Sequence, residues 1–323
     1  MNYRGKIITV GINPCWDIFC RVDGLEWGEH KQISSQVFRP AGKALNVSRA
    51  LAWMAVESYA AGLWGRDDYP QMKQQTASLS RFVKTRFTVV EGRTRQNINI
   101  IDQKNNREVH LRSESGLSSK KNLKNLYRDI NKMVGLGRIC VFAGSLGEMS
   151  FLPEVLRIVG GCRKKGAKVV VDSSGPMLKA IVGEGGVWLI KPNVEELGEL
   201  LGEKLTDSPQ TLIKAGESLL GQVEHILISR GEKGAILITA EGGYQVQYQG
   251  KARNVQSTLG CGDYLLAGFL KGWTQKGDGR MALRTALRAG TAKAWGLSET
   301  TTWPKAERKI KTSTSSLATG TCK

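Results

Sequence analysis

The sharpest spacing of chemically useful residues is STLGCGDYLLAG, residues 257–268. Gly260, Cys261 and Gly262 precede one carboxylate, Asp263, and the chain then turns apolar in the manner of a starting helix. Amides at a helix N-terminus lack intrahelical acceptors and sit at the positive end of the helix dipole, so this stretch can hold an anion. The two glycines allow backbone angles and close approaches that a side chain would forbid. Asp263, at the mouth, can accept a proton from a hydroxyl. The same residues also read as a glycine-rich turn in which Asp263 is an ordinary helix cap.

Three further stretches share this logic. In RPAGKALNVSRAL (39–51), Gly42 and Lys43 stand before a helix that carries Asn46. A lysine ammonium there suits a phosphate, and a solvated loop lysine is the alternative. In LIKPNVEEL (189–197), Lys191 falls at a strand's carboxyl end, Pro192 stops the ladder and Asn193 can cap the next helix. Asn193 and Glu196 can act on Mg²⁺ through water, or form a plain capping box. In LISRGEKGAIL (227–237), Ser229, Gly231 and Gly234 surround a tight turn against which a nucleotide can lie, or they close a β-hairpin.

These residues need a frame to hold them. From about residue 138, short β-branched runs alternate with helical segments: RICVFAG, AKVVVD, VWLIKPN and HILISRG are the strands. Continuous apolar strands with helices between them indicate a parallel sheet covered on both faces. Ligands of such sheets sit beyond the carboxyl ends of the strands. KIITVGIN (6–13) and SYAAGLWG (58–65) extend the sheet, and ALNVSRALAWMAV (44–56) is an amphipathic helix. Residues 15–39 and 95–112 instead alternate polar and apolar positions around turns, as in a small separate sheet that can act as a lid. Residues 301–323 are rich in Lys, Ser and Thr and read as a disordered basic tail.

The 323 residues, 41% hydrophobic, suit one large domain with an appendage. No apolar run reaches a membrane span, and the N-terminus lacks a signal-peptide pattern, so the expectation is a cytoplasmic chain without a membrane partner. The six cysteines form no CxxC pair and read as free thiols. The formal charge of +18 fits steering of anionic metabolites. No basic stripe interleaved with aromatics stands out, so nucleic acid is not the expected partner.

The order of these motifs resembles the ribokinase-like carbohydrate kinases of the phosphofructokinase B group, over about residues 6–297. NPCWD, AGKALN, TRQNINIID, GSL, VDSSG, KPNVEEL, SRGEKGA and STLGCGDYLLAGFL are similar to that family's motifs in sequence order. The resemblance implies a three-layer α/β/α core with a mainly parallel sheet and a small β-sheet lid, within a kinase domain spanning 1–300. It implies ATP and Mg²⁺ as cofactors and Asp263 as the base. The Gly260, Cys261 and Gly262 amides would be the hole for charge on the transferring phosphoryl group. Asp17, Gly42, Lys43, Asn46 and Arg95 would hold a sugar phosphate. Lys191, Asn193, Ser229, Gly231 and Gly234 would line the ATP side, and Glu196 would help organise Mg²⁺ through water. A homodimer through the lid is also implied.

The NPxxD, GK and TRxN set is similar to the branch acting on phosphorylated sugars. This makes fructose 1-phosphate the expected acceptor, with tagatose 6-phosphate and fructose 6-phosphate as alternatives. A neutral-sugar kinase, a binding protein without catalysis and a basic nucleic-acid partner are the rival readings. Ala41 and Ala44 stand where the family has glycines, which narrows the expected sugar site, and RSESG (112–116) can bring Arg112 to the substrate. Cys261, at a helix N-terminus near lysines, is expected to be an acidic thiol whose alkylation inactivates the protein and which ATP protects.

Overall fold

The computed structural model describes residues 7–250 and 255–317. Fourteen strands among these residues make two sheets. The large sheet contains β1 (Ile7–Gly11), β4 (Ser58–Gly65), β5 (Val83–Val90), β8 (Ile139–Ala143), β9 (Lys168–Asp172), β10 (Val187–Ile190) and β11 (Val223–Ser229). Adjacent members of this set pair in parallel. Three antiparallel strands, β12 (Ala235–Thr239), β13 (Gly242–Tyr248) and β14 (Thr312–Leu317), complete one edge. The order is β14-β13-β12-β11-β10-β9-β8-β1-β4-β5. Chain direction across the sheet reverses between β1 and β8, which opens a crevice at their carboxyl ends.

The parallel strands read as unbroken apolar runs because both faces are covered. Ile8, Val10, Cys140 and Phe142 pack towards α3 (Lys120–Met133), α4 (Leu152–Lys164), α5 (Gly175–Gly183), α6 (Val194–Leu201) and α7 (Pro209–Glu217). Ile7, Ile139 and Val141 point the other way, to α1 (Lys43–Trp53), α8 (Cys261–Lys276) and α9 (Gly279–Ala294). Alternation within single strands thus builds two cores on one sheet.

The small sheet has the order β3-β2-β6-β7, from β2 (Cys15–Val22), β3 (Ser35–Ala41), β6 (Gln96–Asp102) and β7 (Arg107–Arg112). Buried Asp68, just before α2 (Tyr69–Thr76), ties it to the body. Its carboxylate accepts from the indoles of Trp16 and Trp64 and from the Thr94 amide. Trp16, Ile18 and Cys20 then bury one face against Trp64 and Met72.

The expected disordered tail is corrected in part. After α10 (Leu297–Thr300), α11 (Trp303–Lys309) buries Trp303 edge-on to Trp53 at 5.2 Å, and β14 pairs along β13 from Tyr248↔Thr312 to Gly243↔Leu317. An edge strand needs partners on one side only, and Thr fits pleated surface well, so a segment of low hydropathy is ordered here. Residues 318–323, and Cys322 among them, lie outside the described residues.

Candidate active site

The carboxyl ends of β9 and β10 deliver a buried carboxylate and a buried ammonium. Asp172, last residue of β9, is 1% exposed; its Oδ1 accepts from Lys43 Nζ at 3.3 Å and forms an ion pair with Lys191 Nζ at the same distance. Lys191 follows β10 and is 5% exposed, while Lys43 opens α1 and is partly open to solvent. The second oxygen of Asp172 and the Ser173 hydroxyl are buried without hydrogen-bond partners.

Helix α8 aims its N-terminus at this pair. Gly260 caps it in the left-handed conformation (φ 79°), where a side chain would be strained. Gly262 has a second reason to be glycine: a Cβ there would stand 3.3 Å from Lys191 Nζ. The Gly260, Gly262 and Asp263 amides have no backbone acceptor among the described residues, whereas the Cys261 amide donates to Thr258 O at 3.3 Å. Three of the four amides at this turn are therefore available, and Cys261 contributes least to the expected hole. Lys191 beside the positive end of a helix is repulsive unless negative charge lies between them, so the cleft favours an anion.

Asp263, in the first turn of α8, is 5% exposed and accepts from Asn46 Nδ2 at 2.9 Å. Burial raises its pKa, and Asp172 adds to the rise. The Asn46 hydrogen bond and the charges of Lys43 and Lys191 oppose it. For Lys43, burial favours the neutral amine, but Asp172, Asp263 and Glu196 outweigh it and raise the pKa. A buried carboxylate, two cations and free amides thus converge, a set of groups that can serve phosphoryl transfer.

Residues expected on the substrate side meet across the small sheet. Strand register sets Asp17 opposite Asn97 and Asn97 opposite Arg112, so all three share a face. Asn97 donates to Asp17 Oδ1 at 2.9 Å. Arg95 reaches the same place but is engaged: Nε and Nη1 donate to the side-chain oxygens of Asn13 and Asn97 at 2.8 Å. A cavity of about 530 Å³ at this end of the sheet is lined by Arg93, Arg95 and Arg112, and also by Ile98 and Leu111, which point away from the face of Asp17 and Asn97. Gly42 caps α1 at φ 112° and accepts from the Asn46 amide. The floor by Gly42, Lys43 and Ala44 holds a cavity of about 10 Å³.

On the expected nucleotide side the plainer readings are all formed. Asn193 and Glu196 make a capping box on α6, with bonds of 2.7 and 2.9 Å that occupy Glu196 Oε2. Ser229 spends its amide, and at 3.5 Å its hydroxyl, on Pro192 O. Gly231 and Gly234 close the β11–β12 hairpin. Gly234 (φ 91°) admits β13, since a Cβ there would meet Val246 O at 2.0 Å. These roles hold the residues at the cleft's rim without showing a ligand contact.

Cys261 corrects an expectation. Its thiol is raised, not lowered: burial is the main cause and Asp263 adds to it, while Lys293 opposes. Asp172, Asn13 and Asn97 join the expected residues here; the motifs VDSSG, NPCWD and TRQNINIID contain them. The available signal for Asp172 was its place at a strand's carboxyl end, the same that marked Lys191. Among the described residues no group of three or more His, Cys, Asp or Glu could hold a metal ion, and no helix is long and apolar enough to cross a membrane.

A crevice at a parallel sheet's switch point, beside a second small sheet, marks the ligand site of an α/β protein. The chain belongs to the pfkB family of carbohydrate kinases, whose profile, "pfkB family carbohydrate kinase", matches residues 6–305. It is 32% identical over 292 residues to a 1-phosphofructokinase of Bacillus subtilis (90% of this chain, 92% of that one). It is 29% identical over 295 residues to a 1-phosphofructokinase of Haemophilus influenzae (88% and 90%). The crystal structure of Escherichia coli phosphofructokinase-2 in complex with fructose-6-phosphate superposes with a TM-score of 0.85 at 23% identity, covering 95% of this chain and 98% of that one.

Proposed function

We propose that this carbohydrate kinase transfers the γ-phosphoryl group of ATP to a hydroxyl of fructose 1-phosphate, giving fructose 1,6-bisphosphate and ADP. The observation that carries this reading is buried Asp263, held by Asn46 beside two lysines and a helix N-terminus. In its ionised form Asp263 takes the proton of the acceptor hydroxyl as the phosphoryl group arrives. The amides of Gly260 and Gly262, with Lys43 and Lys191, balance charge that builds on the transferring oxygens. Each such donor contributes a factor on the order of 10²–10³.

The residues present fit the cofactors. Unpaired amides and lysines suit nucleotide phosphates, and Mg²⁺ takes carboxylate oxygens and water. Asp172 Oδ2 accepts no hydrogen bond, and Glu196 lies within electrostatic reach of Lys43. These two would hold the ion, which on binding neutralises phosphate charge. A phosphorylated sugar is favoured over a neutral one by Lys43 in the cleft and by Arg112 on the face that carries Asp17 and Asn97. The small sheet serves as lid and as the contact between two subunits.

Turnover decides the reading. Purified protein with Mg-ATP is offered fructose 1-phosphate, fructose 6-phosphate, tagatose 6-phosphate, fructose and ribose, and ADP is measured. The highest kcat/KM is expected for fructose 1-phosphate. Preference for another ketohexose phosphate reassigns the substrate, and inactivity on all sugar phosphates overturns the proposal. Asp263→Asn should lower kcat by a factor on the order of 10²–10⁴ with ATP still bound.

A further inference from the structure

Helix α3 carries a feature that phosphoryl transfer does not use. Its apolar residues Leu123, Leu126 and Ile130 are 1%, 0% and 2% exposed and seal it to the body. At 3.6 residues per turn, Lys120, Lys121, Lys124, Arg128 and Lys132 fall within an arc of about 120° on the opposite side. All five are exposed. Only Asn131 shares that arc, and it is uncharged. The only acid on the helix, Asp129, lies about 60° outside the arc, where it accepts from Thr88 and pairs with Lys132.

Neighbouring elements widen the stripe. Exposed Arg157 of α4 lies over the Tyr127 ring, and exposed Lys165, just after α4, donates to Asn131 O at the helix's far end. On the other flank β5 presents exposed Lys84 and Arg86. This surface lies on the face of the sheet opposite α1 and α8, so it does not feed the catalytic cleft.

We propose that the α3 face binds the phosphate backbone of duplex nucleic acid without reading its sequence. Lys120, Lys124, Arg128 and Lys132 are about 6 Å apart in rise and span about 18 Å, the axial length of about five base pairs. Single strands are disfavoured because they need exposed aromatic platforms, and the one aromatic here, Tyr127, is half-buried beneath Arg157. A lipid surface is disfavoured because α3 has no apolar residue left to insert. Backbone contacts of this kind give affinity but little specificity.

The test is fluorescence anisotropy with a labelled 24-base-pair DNA duplex between 50 and 300 mM KCl, on the full chain. Binding is expected with a log–log salt slope of about −4, from about five phosphate contacts. A variant with Lys120, Lys124, Arg128 and Lys132 all changed to Gln should bind at least about 30-fold more weakly at the lowest salt, with a slope shallower by about 3. A control removes as many charges elsewhere, by Lys204→Gln, Lys214→Gln, Lys276→Gln and Lys309→Gln. It should weaken binding by less than about threefold. Kinase turnover and thermal unfolding should match wild type in both, and should the stripe variant fail to fold, Lys124→Glu alone is expected to cost about fivefold. Equal losses in stripe and control variants, no binding at 50 mM KCl, or displacement of the duplex by phosphatidylserine vesicles at equal phosphate overturns the proposal.

Discussion

Two carboxylates and two ammonium groups share the cleft beyond β9 and β10, and the balance among them sets the protonation of Asp263. With Asp263 as the proposed base, its raised pKa should place the acid limb of kcat above the range of an ordinary carboxylate, because the proton-accepting ionised form is lost as pH falls. Two substitutions should move that limb in opposite directions. Asn46→Ala removes a hydrogen bond that favours the carboxylate, so the limb should shift to higher pH. Asp172→Asn removes a neighbouring negative charge, so the limb should shift to lower pH. Profiles of kcat at saturating substrate check this, and shifts of the same sign would exclude Asp263 as the group observed. Cys261 gives a second prediction at this scale. A thiol raised by burial holds little thiolate at neutral pH, so iodoacetamide should label it more slowly than a free cysteine. Cys261→Ala should keep kcat within about twofold, since its amide already donates to Thr258 O.

At the scale of elements, the glycine turns do structural work that constrains any functional role. Gly234→Ala puts a methyl into Val246 O at a positive φ, and should cost more than about 2 kcal/mol in denaturant unfolding by parting β13 from β12. A stability within experimental error of wild type would mean that the hairpin relaxes easily. The same turn shows why sequence reading reached only part of the site. SRGEKGA was legible as a turn after a strand, because glycine punctuation is local. Whether that turn faces a nucleotide or merely closes a hairpin depends on β13, which pairs there from further along the chain. Strand and helix periods likewise exposed the parallel core and the small sheet. The Asp68 node joining Trp16, Trp64 and Thr94 left no trace, since its partners lie up to 52 residues away in sequence. Local polarity also hid β14, whose order comes from pairing with β13, and the cationic face of α3, whose spacing appears only once the helix is drawn.

For the whole molecule, the small sheet leaves apolar surface that the body does not cover. Register lines up Phe38, Ile18, Ile98 and Leu111 in one row across all four strands. Ile18 at the centre is 4% exposed, whereas Phe38 and Leu111 at the two edges are 37% and 50% exposed. Val109, 40% exposed, lies in the next row of the same face, beside Ile100. Both outer strands are also sheet edges with unpaired backbone groups, which proteins normally cover, charge or bend away. A second copy presenting the same row would cover both edges through a self-complementary contact, the arrangement that two-fold symmetry produces. The wild-type chain should therefore sediment as a dimer at micromolar concentration. Phe38→Glu with Leu111→Glu places like charges on both sides of that contact and should yield monomers whose thermal unfolding midpoint stays within a few degrees of wild type at low protein concentration. Because the lid face carrying Asp17 and Asn97 is built on the same strands, the monomer should show a raised KM for the sugar phosphate, with KM for ATP little changed. A wild-type monomer at every concentration, or a double variant that still dimerises, would move the contact away from the lid.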